Sequence, residues 1–88
     1  MNERILVTGG LGMVGAFVCR ALLAEGRQPV VYDQRTDTAL VRDIAGECVI
    51  EQGDTRDQPR LMTLNAQHRP AAIVHLAAQV GQIGRAHV

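Results

Sequence analysis

Three glycines spaced three residues apart form the part of the sequence best suited to chemistry. Gly9, Gly12 and Gly15 lie between a short apolar run and a segment with helical periodicity. Glycine permits a sharp turn at the first position, close approach of a phosphate at the second and tight packing of the helix at the third. The N-terminus of that helix adds unpaired N–H groups and a partial positive charge. The spacing therefore predicts a main-chain loop that holds a pyrophosphate.

The residue types that the sequence lacks exclude several reactions. The loop does not end in Gly-Lys-Ser or Gly-Lys-Thr, which excludes a loop that hydrolyses nucleoside triphosphates. The chain contains no lysine and no serine, and its one tyrosine is Tyr32. A serine nucleophile, a lysine base or a tyrosine–lysine pair therefore cannot be completed within these 88 residues.

An acidic residue follows the second apolar strand. Asp33 lies eighteen residues after Gly15, where a carboxylate can accept hydrogen bonds from the ribose hydroxyls of an adenosine. Its charge would repel a 2′-phosphate, which favours NAD over NADP, whereas Arg35 could bind such a phosphate and argues for NADP. The alternative is that Asp33 is only a turn residue at the end of a strand. The glycine loop beside it favours the binding role.

Two further segments follow later strands. Asp54, in the segment 53–57, is expected at the carboxyl edge of the sheet, where its carboxylate could accept a hydrogen bond from an adenine amino group. Asp57 is predicted only to cap a helix. Ala77 and Ala78 follow the fourth strand at the crevice where the connections diverge to opposite sides. Their small side chains would let a cofactor's ribose and pyrophosphate pass against the main chain.

The elements that must position these residues alternate along the chain. Apolar runs predict four strands, at 5–8, 29–33, 48–51 and 71–76. Helical spacing and end signals predict three helices, over 12–25, 38–45 and from Asp57 to near Pro70. This alternation predicts an α/β fold, the N-terminal half of a doubly wound parallel sheet of the Rossmann type. The expected order of elements is βαβαβαβ, and the expected strand order is 3-2-1-4.

The first helix is expected to pack on the sheet through one apolar face. The residues predicted on that face are Val14, Phe17, Val18, Ala21 and Leu22.

The histidines and cysteines are predicted to be structural. His75 alternates inward on an apolar strand and is interpreted as a core histidine with its hydrogen bonds satisfied, whereas His68 and His87 are expected to face solvent. Cys19 and Cys48 belong to no CxxC motif or Cys/His cluster, so we expect two reduced core thiols and no metal site.

Composition restricts the class of protein further. Apolar residues make up 47% and charged residues 20%, which is typical of a globular domain. The net charge is zero, so charge gives no argument for a nucleic-acid or membrane partner. The apolar run 5–7 is much shorter than the roughly 18 residues of a membrane span and too short for a signal peptide. We therefore expect a soluble, cytoplasmic protein.

Four of these segments together resemble the extended short-chain dehydrogenase/reductase family, the NAD-dependent epimerase/dehydratases. The segments are, in chain order, 8–15, Asp33, Gly53-Asp54 with Asp57, and 75–78. They cover most of residues 4–81, and a TGxxGxxG loop followed by His-Leu-Ala-Ala is fairly specific to this family.

The resemblance implies an enzyme that transfers a hydride between a nicotinamide cofactor and a nucleotide sugar or a similar alcohol or carbonyl. It also implies a homodimeric parent protein, with a catalytic Ser or Thr and a YxxxK motif beyond Val88. The implied contacts are Gly9, Gly12, Met13, Val14 and Gly15 with the pyrophosphate, Asp33 with the ribose, Asp54 and Thr55 with the adenine, and Ala77 and Ala78 with the inner face of the cofactor.

The last six residues do not continue this pattern. Residues 83–88 spell Ile-Gly-Arg-Ala-His-Val, which resembles the translation of a common sequencing adapter. We therefore expect a truncated NAD(P)-binding domain over 1–82 and an artefactual tail over 83–88. Three interpretations of the chain follow: the cofactor half of an enzyme, inactive alone; a non-catalytic dinucleotide sensor; or a truncated chain with no role of its own.

Overall fold

A computed structural model describes residues 3–76 of the chain, so Ala77, Ala78, His87 and the expected tail over 83–88 lie outside the described residues. Its strands are β1 (Arg4–Thr8), β2 (Gln28–Asp33), β3 (Val49–Gln52) and β4 (Ala72–His75). Its α-helices are α1 (Met13–Ala24) and α2 (Gln58–His68), and two 3-10 helices span Ala39–Val41 and Ala45–Glu47. Neither α-helix in this part of the chain has the length and apolar character that crossing a membrane requires.

The four strands form one sheet in which every pair is parallel. The strand order is β3-β2-β1-β4, and Val7 of β1 lies between Val31 of β2 and Val74 of β4. Continuous apolar strands suit a parallel sheet because helices cover both of its faces. The predicted fold class and strand order are confirmed.

Helices α1 and α2 cover opposite faces of this sheet. Side chains alternate between faces along a strand, so Val7 and Leu6 point in opposite directions. Val7 belongs to a cluster with Ala16 and Cys19 of α1, whereas Leu6 belongs to a cluster with Leu64 of α2. The connection between β3 and β4 thus crosses to the other side of the sheet, as the right-handed rule for parallel crossovers requires.

The ends of α1 follow the prediction, but its buried face does not. Gly12 is the N-cap, and Gly26 has a positive φ of 78° just after the helix, as glycine commonly has there. The buried residues are Gly15, Ala16 and Cys19, with Val18 and Leu22 half-buried. The predicted inner face is therefore wrong for three of its residues, which are Val14 (62% exposed), Phe17 (74% exposed) and Ala21.

This error has a steric cause. Small residues at 15, 16 and 19 let α1 lie close to β1 and β2, which turns the larger apolar side chains of the helix onto its flank. Apolar periodicity detected the helix, but it did not distinguish the close-packed stripe from the flank next to it.

The helix predicted over 38–45 is also wrong. The chain forms a 3-10 helix over Ala39–Val41 and a second one over Ala45–Glu47, and Val41 is the one fully buried residue in the two. Eight residues are below the length at which a helix is stable without support from packing. A single buried side chain provides little such support.

The helix α2 begins and ends as the sequence predicts. Asp57 is its N-cap, and Oδ1 of its carboxylate accepts the N–H of Arg60 at 3.1 Å. Pro59 lies in the first turn, and Arg69 closes the C-terminus in the left-handed conformation. His68, expected to face solvent, instead has a side chain that is only 9% exposed. Its Nε2 lies 3.2 Å from a carboxylate oxygen of Glu51.

Candidate functional site

A cavity of about 480 Å³ lies where the four strands reach their carboxyl ends. Seven of the predicted cofactor-binding residues line it: Gly9, Gly12, Met13, Val14, Gly15, Asp33 and Thr55. Gln34, Arg35 and Leu76 complete the lining. The structure thus brings most of the predicted site to one place, and it adds Gln34 and Leu76, which were not predicted as cofactor contacts.

The glycine loop turns sharply as it leaves β1. Gly9 has a φ of 75°, in the left-handed region that favours glycine, and its N–H donates to the carbonyl of Tyr32 at 2.8 Å. The N–H of Gly12 then donates back to the carbonyl of Gly9 at 3.3 Å. The loop is therefore compact, and its conformation is held by main-chain hydrogen bonds.

Two glycines of the loop are required by close packing. A Cβ built on Gly15 would lie 2.5 Å from the carbonyl oxygen of Gly9, so only glycine lets α1 approach the loop this closely. A Cβ on Gly10 would lie 2.8 Å from Cγ1 of Val31 on β2. The role predicted for Gly15 thus has a direct steric basis. Gly10 falls outside the three-residue spacing, so the sequence motif does not identify it.

The N-terminus of α1 is open toward this cavity. Gly12 caps it in an extended conformation, no side chain caps the helix and its first turn has no acidic residue. Within residues 3–76 no acceptor pairs with the N–H groups of Met13, Val14 and Gly15. Unpaired N–H groups and the helix dipole together favour an anion at this position.

Asp33 is a structural link as well as a cavity residue. The residue is 7% exposed. Its Oδ2 accepts the N–H of Leu11 at 3.0 Å, and its Oδ1 accepts the N–H of Arg35 at 2.9 Å. Each carboxylate oxygen can accept a second hydrogen bond. Asp33 therefore has the turn role that the sequence analysis gave as the alternative. Its carboxylate oxygens can still accept hydrogen bonds from a ligand in the cavity.

The segment after β3 presents Thr55 but not Asp54. The Tyr32 hydroxyl donates to the carbonyl of Asp54 at 2.8 Å, which holds this segment against β2. The Asp54 carboxylate pairs with the Arg56 guanidinium at 2.7 Å, and these hydrogen bonds lower the pKa of Asp54 to about 2. Asp54 is not among the residues that line the cavity. In the sequence, the position of Arg56 two residues after Asp54 is the feature that indicates this pairing.

A side-chain bridge joins β1 to β4 at the same edge. Oγ1 of Thr8 lies 2.6 Å from Nδ1 of His75 and accepts the N–H of Leu76 at 3.2 Å. His75 is thus hydrogen-bonded through Nδ1, but the prediction of a core histidine is wrong, because His75 is exposed on the strand that lies outermost within residues 3–76.

No three His, Cys, Asp or Glu side chains between residues 3 and 76 lie together as a metal site would require. Cys19 is buried and Cys48 packs against it half-buried, both as free thiols.

Comparison with known proteins gives consistent matches over almost the whole chain. The model of the NAD dependent epimerase/dehydratase family matches residues 5–88. The UDP-glucose 4-epimerase of Rhizobium meliloti is 43% identical over 79 residues, which are 90% of this chain and 24% of that protein. The dTDP-glucose 4,6-dehydratase 1 of Escherichia coli is 34% identical over 82 residues, and the match covers 86% of this chain and 23% of that protein.

Solved structures of related enzymes share the fold of this chain. The UDP-glucose 4-epimerase of Brucella ovis in complex with NAD matches 88% of this chain and 23% of its own, with a TM-score of 0.77 and 33% identity. The enzyme of Stenotrophomonas maltophila with bound NAD and formylated UDP-arabinopyranose matches 89% of this chain and 25% of its own, with a TM-score of 0.79 and 33% identity. This chain thus spans about a quarter of the length of these relatives. By the match of the family model over residues 5–88, the chain belongs to the NAD dependent epimerase/dehydratase family.

Proposed function

We propose that this chain binds NAD in the cavity at the carboxyl edge of the sheet. The observation that carries the proposal is the uncapped N-terminus of α1, where the N–H groups of Met13 and Val14 face a glycine-lined cavity without acceptors among residues 3–76. A pyrophosphate would accept hydrogen bonds from these groups. The NAD complexes of the Brucella and Stenotrophomonas epimerases support the choice of NAD.

The remaining polar groups of the cavity suit the adenosine half of that cofactor. The free acceptor positions of Asp33 would accept hydrogen bonds from ribose hydroxyls, and its charge disfavours a 2′-phosphate. Thr55 lines the cavity, whereas the Asp54 carboxylate does not and is already paired with Arg56. We therefore assign the adenine contact to Thr55 ahead of Asp54.

We further propose that the chain is the cofactor-binding part of a nucleotide-sugar epimerase, dehydratase or related reductase. The names of its relatives support this substrate class. Bound NAD would supply the hydride acceptor, and the residues of this chain would hold and orient it. These 88 residues would perform no turnover, because they lack lysine and serine and because Tyr32 is fully buried with its hydroxyl donating to Asp54.

A calorimetric titration of NAD tests the binding proposal. Gly12→Val places a side chain in the glycine loop. Its Cβ would lie 3.0 Å from Nη1 at the far end of the Arg35 side chain and 3.6 Å, an ordinary contact distance, from the carbonyl oxygen of Gly9, so we expect the chain to remain folded. We expect the affinity for NAD to fall at least about tenfold, the equivalent of losing one or two hydrogen bonds to a charged group. Gly46→Val is the matched control, because a Cβ at Gly46 meets nothing within 4 Å. Equal affinity in the two variants would contradict the proposed position of the pyrophosphate.

A further inference from the structure

Arg35 extends from the end of β2 across the mouth of the glycine loop. Its N–H donates to Asp33, which fixes the main chain at the start of this segment. Its Nη1 lies 3.0 Å, and its Cζ 3.8 Å, from the position that a Cβ on Gly12 would occupy. The guanidinium therefore lies against the N-cap of α1, one residue before the N–H groups of Met13 and Val14.

The charged residues that line the cavity indicate what the Arg35 guanidinium could bind. Among the described lining residues, Arg35 is the single cation and Asp33 the single anion. A pyrophosphate in the cavity would add two negative charges beside the buried Asp33 carboxylate, and a helix N-terminus offsets only about half of one charge. Within residues 3–76 the Arg35 guanidinium donates to no acceptor, so all of its N–H groups are available to a ligand.

We propose that Arg35 is a binding residue for the pyrophosphate of the dinucleotide, which it contacts from the β2 side across Gly12. This inference rests on the proposed function. A guanidinium can donate two parallel hydrogen bonds to phosphate oxygens, which a main-chain loop complements from the other side. The position against Gly12 favours the pyrophosphate over a 2′-phosphate, because the phosphate bound to the first N–H groups of α1 lies next to that residue.

Calorimetric titrations of NAD, NADP and adenosine into the wild-type chain and Arg35→Gln test this role. We expect Arg35→Gln to weaken NAD and NADP by a similar factor, about tenfold for a charge-assisted hydrogen bond, and to leave adenosine unchanged. Because the Arg35 side chain is exposed and its N–H bond to Asp33 is retained, the melting temperature should not change. Arg42→Gln is the matched control: it removes an exposed arginine that does not line the cavity, and it should bind all three ligands as the wild type does.

Three results would overturn the assignment. Unchanged affinity of Arg35→Gln for NAD would remove Arg35 from the site. A loss confined to NADP would move its contact to the 2′-phosphate, and an equal loss for adenosine would indicate a purely structural effect. Failure of the wild-type chain itself to bind NAD would instead contradict the proposed function, so the two failures are distinguishable.

Discussion

The carboxylate of Asp33 holds the main chain of Leu11, since its Oδ2 accepts the Leu11 N–H at 3.0 Å in a buried hydrogen bond. These residues are 22 positions apart, and the bond joins the end of β2 to the middle of the glycine loop. The other oxygen accepts the N–H of Arg35. One carboxylate thus sets the position of the loop and of the segment that carries Arg35.

Replacement of Asp33 by asparagine should therefore lower stability before any ligand is added. Asparagine has one side-chain acceptor oxygen, so its NH₂ group must face one of the two main-chain donors. We expect the free energy of unfolding to fall by roughly 1–3 kcal/mol, the usual cost of an unsatisfied buried donor. Urea denaturation measures this change. Asp37→Asn is the control, because Asp37 accepts the N–H of Ala39 in an exposed turn; an equal loss in both variants would refute the argument.

Replacement of Gly15 by alanine should destabilise the chain, although alanine is the better helix former by about 1 kcal/mol. The added Cβ would lie 2.5 Å from the carbonyl oxygen of Gly9, and neither main-chain segment can move aside without disturbing the loop. We expect a loss of about 1–3 kcal/mol, as for other overpacked sites. Gly46→Ala, which meets nothing within 4 Å, should be close to neutral. A melting temperature of Gly15→Ala at or above that of the wild type would contradict the packing described here.

The buried thiol of Cys19 should make the chain sensitive to alkali. Burial, with a smaller effect of the neighbouring Cys48, raises the pKa of Cys19 from 9.0 to about 12. The unfolded chain loses this proton first, so the contribution to stability is present below about pH 9 and is lost as the pH rises toward 12. Thermal melts across the alkaline range measure the loss.

Two controls separate this thiol from other groups. Cys19→Ala should lose less stability between pH 9 and 10 than the wild type, because it has no thiol to titrate. Iodoacetamide at neutral pH should label Cys19 slowly in the folded chain and readily in urea, since the thiolate is the nucleophile. Equal labelling rates in both conditions would show that the thiol is accessible.

The outer strand β4 should promote association of the chain. Within residues 3–76 it pairs on one side only, with β1, and its Ile73 is 56% exposed. Apolar strands with a free edge tend to pair with other chains. We expect sedimentation velocity to show dimers or larger species that Ile73→Lys reduces. Ile50→Lys on β3, the other outer strand within residues 3–76, is the control and should reduce association less, because Ile50 is only 36% exposed and β3 already carries the charged Glu51. A wild-type chain that remains monomeric at high concentration would contradict this prediction.

The strand order and the helix ends could be predicted because their signals are local. Apolar runs defined the strands, Gly26 and Asp57 marked helix boundaries, and the crossover rule then left few arrangements. The glycine spacing located the loop for the same reason. Each of these signals depends on residues within a few positions of one another.

The remaining features depend on partners distant in sequence. Asp33 accepts the main-chain N–H of Leu11, so the residue type at position 11 does not predict this hydrogen bond. Gly10 is required by Val31, and the exposure of Val14 and Phe17 depends on how closely α1 approaches the sheet. The pairing of Asp54 with Arg56 is different, because these two residues are only two positions apart in the sequence.

Amide NMR of the ¹⁵N-labelled chain during a titration with NAD tests the central claim most directly. If the pyrophosphate binds at the start of α1, the N–H signals of Met13, Val14 and Gly15 will shift most. Those of Arg69 and Ala71, at the opposite end of the sheet, will stay in place. Shifts confined to that opposite end, or no shift at the start of α1 when NAD is saturating, would contradict the account.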